Sequence, residues 1–263
     1  MKDILITGAY GGMGRATVER LREWGFRVFA LDRQGGEPQE NVIPIEADIT
    51  SSESLQRAAA LLQGHTDSLC AIIHFAGIYM LDSLVEMEES AFHRILDVNL
   101  CGVYLVNKLF LPFLGAGSRI LITTSELAPL DPLPFTGIYA VTKGALDKYA
   151  YSLRMELQLL GITVSVLRAG AVDTGMLGVS TAALDRFCEK TEHYTCNADR
   201  FRAIVERVEA RCVPPEKIAR RMHAILEKKR PAFAYSINRN PLLLLLNLLP
   251  KRLQLWAIRL VLR

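Results

Sequence analysis

The sequence predicts an α/β protein: a Rossmann-type doubly wound parallel sheet in a single domain, with an apolar C-terminal helical tail. Two observations carry this. Short apolar runs bounded by turn residues recur through the first two thirds of the chain, and longer segments with helical spacing separate them. Strands that are apolar on both faces and alternate with helices make a parallel sheet covered on both sides, wound by right-handed crossovers.

The strand candidates in order are "ILIT" (4–7), "RVFALD" (27–32), "VIPIEAD" (42–48), "CAIIHFAG" (70–77), "RILITTS" (119–125) and "TVSVLRAG" (163–170), with "AFAYSI" (232–237) as the last. Helical spacing covers 13–24, 52–63 and 88–113. No internal repeat or linker interrupts the chain before residue 238, so 1–237 reads as one domain and 238–263 as the tail.

At 263 residues the chain suits one large domain better than two. A net charge of +3, with basic and acidic residues interspersed, argues against nucleic acid as a partner. Five cysteines, an odd number with no C-x-x-C pair, read as reduced thiols rather than disulfides or a metal site. Residues 188 and 196, both cysteine, have no histidines at ligand spacing, so no metal is expected. The chain runs from "MKD" directly into an apolar strand, which leaves no room for a signal peptide and predicts a cytoplasmic protein.

After the first strand comes "TGAYGGMG", leading into a helix. Gly8, Gly12 and Gly14 permit a tight turn and close backbone approach to a pyrophosphate, which the helix N-terminus stabilises. Asp32 ends the next strand 20 positions beyond Gly12, where a carboxylate accepts hydrogen bonds from an adenosine ribose. A carboxylate there repels a 2′-phosphate and favours NAD over NADP, although Arg33 beside it is able to accommodate the extra charge.

These residues resemble the short-chain dehydrogenase/reductase family, and the resemblance runs over about residues 3–235. The family's T-G-x-x-x-G-x-G is matched by Thr7, Gly8, Gly12 and Gly14, with Met13 inside the loop. The resemblance makes Asp48 the adenine-side aspartate. "HFAG" stands where the family has N-N-A-G: Ala76 and Gly77 match, while His74 and Phe75 replace two asparagines. His74 reads as a packed, satisfied histidine. "RAGAVDTGM" resembles P-G-x-x-x-T, with Ala169 in the proline position and Gly170, Val172 and Thr174 expected at the nicotinamide carboxamide.

Tyr139 and Lys143, in "YAVTKGAL", match the family's Y-x-x-x-K. Positions i and i+4 share a helix face, so the ammonium lies beside the phenol. A free tyrosine titrates near ~10, and a nearby cation is expected to bring that value down. The resemblance implies Tyr139 as the proton-transfer group, Lys143 also gripping the nicotinamide ribose, Ser125 orienting the substrate oxygen, and Asn99 supporting a water relay. Ser125 lies 14 residues before Tyr139, one more than the commoner family spacing, which falls on Glu126. An ionised glutamate only accepts hydrogen bonds, so Ser125 is the better candidate.

The substrate lid is expected at about 175–214, with Met176, Leu177, Phe187, Tyr194 and Phe201 as its larger apolar side chains. In the tail, Pro250, Lys251 and Arg252 divide an apolar stretch into pieces too short for the ~20 residues that span a bilayer. On a helix, Arg252, Trp256, Arg259 and Arg263 form one basic face among leucines. That suits either a membrane interface with peripheral attachment, or packing on the active-site rim or a subunit interface. Some steroid- and retinol-oxidising members of the family carry similar tails.

The expected function is therefore an NAD-dependent oxidoreductase interconverting an alcohol and a ketone or aldehyde on a hydrophobic, steroid-, retinoid- or lipid-like substrate. The alternative is a catalytically weak NAD-binding sensor or membrane-associated scaffold. The resemblance also implies a homo-oligomer formed through 88–113 and 139–160.

Overall fold

The computed structural model describes residues 2–209 and 211–263, apart from the side chains of 176–180 and 207–209. The chain opens with β1 (Lys2–Thr7), α1 (Gly12–Glu23), β2 (Phe26–Asp32), β3 (Val42–Glu46), α2 (Ser52–Gln63) and β4 (Leu69–His74). Then come α3 (Glu89–Leu96), a π-helical turn at Asp97–Cys101, α4 (Gly102–Phe110), β5 (Leu114–Ser125), α5 (Gly137–Leu157) and β6 (Thr163–Ala169). The last third holds α6 (Gly175–Lys190), α7 (Thr195–Glu209), α8 (Pro215–Leu226), β7 (Ala234–Ile237), α9 (Pro241–Leu248) and α10 (Lys251–Leu262).

The strands form a seven-stranded sheet in the order β3-β2-β1-β4-β5-β6-β7, and every neighbouring pair is parallel. The order reverses between β1 and β4, which opens a crevice at the carboxyl ends of these strands. Side chains alternate between two apolar layers. Ile4, Ile6, Val28, Ala71 and Ile73 pack with residues of α1 and α8 on one face. Leu5, Phe29, Leu31 and Ile72 pack with residues of α2 and α4 on the other, and Ile120, Ile122, Val164 and Val166 pack with α5. Fully burying one such side chain is worth about 1.5–3 kcal/mol over leaving it exposed. This two-sided demand is why the strands read as continuous apolar runs.

The predicted helix over 88–113 is interrupted. A π-helical turn separates α3 from α4, and Asn99 is buried inside it. The stretch Glu89–Phe113 is long and apolar enough to cross a bilayer, yet Val103, Val106 and Phe110 are buried against the sheet.

Two buried ties hold α5 over β5 and β6. Asp147, two helical turns beyond Tyr139, accepts a bidentate pair from Arg168 on β6, at 3.0 Å to Nε and 2.6 Å to Nη2. Thr124 on β5 donates to the same carboxylate at 3.4 Å.

The tail forms two short helices, as the proline break predicts. It packs on the rim of the carboxyl-end crevice through polar contacts. Asn247 Oδ1 accepts from Asp131 N at 2.7 Å, Gln254 Nε2 donates to Asp131 Oδ2 at 3.0 Å, and Lys251 pairs with the same carboxylate. Leu262 reaches a cluster containing Leu81, Phe135, Leu184 and Phe187. Leu245, Leu248, Leu255, Trp256 and Leu260 remain exposed.

Replacing Asp147 with alanine strands the Arg168 guanidinium in a largely buried position, which should cost about 3 kcal/mol. Urea unfolding of the variant measures it; a loss under about 0.5 kcal/mol would make the pair no more than a surface contact.

Candidate active site

The crevice between β1 and β4 is a cleft of about 790 Å³. Thr7 ends β1 fully buried, and the loop that follows needs its glycines. Gly8 has a φ of +66°, and a Cβ there would lie 2.5 Å from Ala76 N. A Cβ at Gly14 would lie 2.0 Å from Gly8 O. Gly12 packs against Thr174, so the loop after β1 and the loop after β6 close on each other. Met13, Gly12, Ala76, Gly77 and Thr174 all line the cleft.

At the far end of the cleft stands Asp32. Its Oδ2 accepts from Tyr10 N at 3.0 Å and its Oδ1 from Gln34 N at 3.2 Å. The carboxylate is thereby aimed across the glycine loop, with Arg33 beside it in the lining. Asp48 lies further out. Two hydrogen bonds from Thr50, at 2.8 Å and 2.7 Å, lower its pKa, and Arg33 and Arg94 add to that effect. A steric cradle of glycines, a helix N-terminus and a ribose-height carboxylate fit a dinucleotide.

Where this cleft meets the ends of β5 and β6, a second cavity of about 200 Å³ opens; Met13, Phe75, Gly77, Tyr79 and Thr174 line both. Ser125, Tyr139 and Lys143 sit on its floor. Tyr139 and Lys143 come from the first two turns of α5, and the Lys143 Nζ is 5.7 Å from the Tyr139 ring centre. Lys143 donates to Thr123 O at 3.3 Å. Ser125 hydrogen-bonds the phenol, so the one-residue displacement in spacing is absorbed by the β5–α5 loop.

Burial dominates the titration of both α5 residues. It pushes Lys143 from 10.5 down to about 8. It holds Tyr139 well above the ordinary tyrosine value, the Tyr79 phenol adds to the rise, and the Ser125 hydrogen bond only partly offsets it. The lowering of Tyr139 expected from its spacing to Lys143 is not found: desolvation and Tyr79 raise it, and Ser125 is what opposes them.

Asn99 is fully buried, and its amide clamps neighbouring backbone. Its Oδ1 accepts from Ile78 N at 2.8 Å, and its Nδ2 donates to Ile78 O at 3.0 Å and Thr142 Oγ1 at 3.2 Å. Asn99 and Lys143 also converge on Gly77, where an added Cβ would lie 3.2 Å from Asn99 Oδ1 and 3.5 Å from Lys143 Nζ.

His74 is only half satisfied, which corrects the expectation. Its Nε2 bonds Asn107 Oδ1 at 2.9 Å, while Nδ1 has no partner among the described residues. Burial lowers its pKa to about 4, so it stays neutral. The loop after β6 is secured without proline. Gly170 N donates to Ile237 O at 3.0 Å and Asp173 N to Val213 O at 2.8 Å, and Val172 is buried in a bridge to Val213. Phe187 and Phe201 pack with Phe135 and Leu81 above the second cavity, while Tyr194 is partly buried against them. The side chains of Met176 and Leu177 lie outside the described residues.

Sequence reasoning missed Tyr79, whose ring is 4.9 Å from that of Tyr139, and Thr142, the partner of Asn99. Neither belongs to a spaced motif. Only the packing of the loop after β4 on α5 brings them in.

Comparison with known proteins agrees with this geometry. The family described as short chain dehydrogenase matches residues 2–185. A 3-ketodihydrosphingosine reductase of Bacteroides thetaiotaomicron is 26% identical over 231 residues, covering 88% of this chain and 85% of that protein. Estradiol 17-beta-dehydrogenase 1 of Rattus norvegicus is 30% identical over 260 residues, covering 90% and 74%. The chain spans 50% of the length of estradiol 17-beta-dehydrogenase 2 of Mus musculus. Among solved structures, a short chain dehydrogenase family protein from Francisella tularensis superposes with a TM-score of 0.75 at 23% identity, over 90% of this chain and 97% of the other. A 3-ketoacyl-(acyl-carrier-protein) reductase from Brucella melitensis, complexed with NADH, gives 0.72 at 21%, over 90% and 96%.

The depressed Lys143 value has a stability consequence. Between about 8 and 10.5 the unfolded chain holds a proton on Lys143 that the folded protein has released, so this residue makes stability rise with pH through that window. Lys143→Met should reduce the slope of unfolding free energy against pH between 8 and 10, read by urea titrations at successive pH. Equal slopes would mean the ammonium is solvated in the folded protein.

Proposed function

The chain belongs to the short-chain dehydrogenase family, and from that premise we propose that it interconverts an alcohol and a ketone or aldehyde on a hydrophobic, lipid-like substrate, with NAD preferred over NADP. The observation that carries the reading is the meeting of the cleft holding Asp32 and the glycine loop with an apolar cavity floored by Ser125, Tyr139 and Lys143. When bound, the nicotinamide supplies or accepts the hydride at the carbinol carbon.

The chain's residues handle the oxygen and its proton. In reduction, the Tyr139 phenol donates its proton to the carbonyl oxygen as the carbon becomes an alcohol; in oxidation it takes that proton back. Ser125 donates a hydrogen bond to the same oxygen and stabilises its developing charge. Lys143 grips the nicotinamide ribose and supplies positive charge beside a phenol whose protonated form burial and Tyr79 favour. Asn99 holds the Ile78 backbone and the start of α5 in register, and in this reading supports the proton relay through that framework.

Cofactor preference rests on the fixed Asp32 carboxylate, which offers acceptors to a ribose diol and repulsion to a phosphate. The relatives named for 3-ketodihydrosphingosine and estradiol support a lipid-like substrate. The α6–α7 segment, packed over the cavity through Phe187 and Phe201, acts as the substrate lid. Copies of the chain associate through α4 and α5, whose Tyr104, Tyr151 and Met155 are exposed.

NADH formation from NAD with steroid, retinoid and long-chain alcohols tests the reading. Tyr139→Phe should lower kcat by about a hundred- to ten-thousand-fold while NADH binding persists. An unchanged rate would remove Tyr139 from the chemistry.

A second reading concerns the tail, and the exposed leucines of α9 and α10 favour it. With polar contacts turned to the rim and Arg252, Trp256 and Arg259 exposed, these helices lie peripherally on an anionic membrane surface. Replacing Leu245, Leu248 and Leu255, none of them packed into the domain, with aspartate should abolish co-sedimentation with phosphatidylserine vesicles at unchanged Tm. Equal sedimentation of both proteins would end the membrane reading.

A further inference from the structure

The cavity beside Tyr139 has apolar walls, including Phe75, Leu133, Val172, Phe201 and Val205, and one acid among the described lining residues, Glu126. The residue is only 9% exposed. Its Oε2 accepts a hydrogen bond from Asn240 N at 2.6 Å, which ties the N-cap of α9 to the cavity wall. Among the described residues no donor reaches Oε1 and no cation forms an ion pair with the carboxylate. Gly170 lets the Asn238 backbone and the Glu126 carboxylate close on the loop after β6: a Cβ there would lie 1.9 Å from Asn238 O and 3.1 Å from Oε1. Burial raises the pKa, and the Asn240 hydrogen bond and the field of Arg239 only partly oppose the rise.

A carboxylate bonded at one oxygen and open at the other, facing apolar walls, is costly to keep unless a donor arrives. An ionised carboxylate accepts and never donates, so the group that satisfies it carries N–H or O–H. A cation does more than a hydroxyl, since it also supplies the missing countercharge. Glu126 directly follows Ser125, whose hydroxyl meets Tyr139, and consecutive Cα atoms are about 3.8 Å apart. Ser125, Glu126 and Tyr139 line the one cavity, so a substrate held at Ser125 and Tyr139 meets Glu126 within it. We propose that Glu126 is a specificity residue that selects lipid-like substrates bearing a protonated amine next to the alcohol or ketone.

This rests on the oxidoreductase reading, and the experiment separates the two. The full-length protein is assayed with NADH on a long-chain ketone carrying an amino group on the neighbouring carbon, on the same ketone without it, and on the matched hydroxyketone. The wild type should favour the aminoketone over the plain ketone by about 10- to 100-fold in kcat/KM. In Glu126→Gln, whose side-chain carbonyl still accepts from Asn240 N, that ratio should fall towards one, mainly through KM of the aminoketone. A wild-type ratio near one, a ratio unaltered by Glu126→Gln, or a preference for the hydroxyketone would overturn the proposal. If no ketone turns over, the oxidoreductase reading fails, and the amine assignment is judged by calorimetry on the NADH-loaded protein. A long-chain primary amine should then bind about 10-fold tighter than the matched alcohol in wild type only; equal affinities would reject it.

Discussion

The buried Asn99 amide joins three parts of the chain that have no sequence proximity. It closes a two-way hydrogen-bond pair on Ile78, in the loop after β4, and reaches Thr142 on α5. Leaving such an amide unpaired costs about 1–3 kcal/mol for each buried group, so the loop, the π-helical turn and α5 are constrained together. The turn has a reason in this arrangement. Its wider winding interrupts the α-helical ladder between α3 and α4 where Asn99 faces Ile78 and α5, the kind of functional position at which π-bulges recur. Gly77 sits at the centre, where the absence of a side chain leaves room for Asn99 and Lys143 to approach together.

A second constraint is steric and belongs to the other side of the crevice. Gly8 and Gly14 are closed against backbone, and Gly12 against Thr174, so the glycine loop, the β4 loop and the β6 loop form one contact set. The lack of proline at Ala169 matters little here because hydrogen bonds to Ile237 and Val213 fix the loop instead. The cost of the H-F-A-G departure is also local. His74 Nδ1 has no partner among the described residues, but the ring is neutral and its other nitrogen is bonded to Asn107.

Burial sets the electrostatics of the site. Lys143 and Tyr139 are each shifted towards their neutral forms, yet a lysine near 8 keeps its charge at neutral pH, beside a phenol that stays protonated. The same low-polarity surroundings raise Glu126, which lies at the junction of catalytic floor, tail and cavity wall. The tail docks by polar contacts to Asp131 and Glu126 and leaves its leucines outside.

Much of this was legible in the sequence. Strands that must be apolar on both faces announce themselves as runs, and glycines required by backbone contact announce themselves by spacing; Tyr139 and Lys143 do so because a helix puts i and i+4 on one face. By itself the sequence determined the sheet, the glycine loop with Asp32, and the Tyr139–Lys143 pair, since each depends on local geometry. The tertiary structure alone decided the direction of the Tyr139 shift, the clamp made by Asn99, the partnership of Tyr79 and Thr142 with the site, and the open carboxylate oxygen of Glu126. Those depend on which distant segments exclude water from a side chain and which supply its hydrogen bonds, and spacing along the chain carries no record of either.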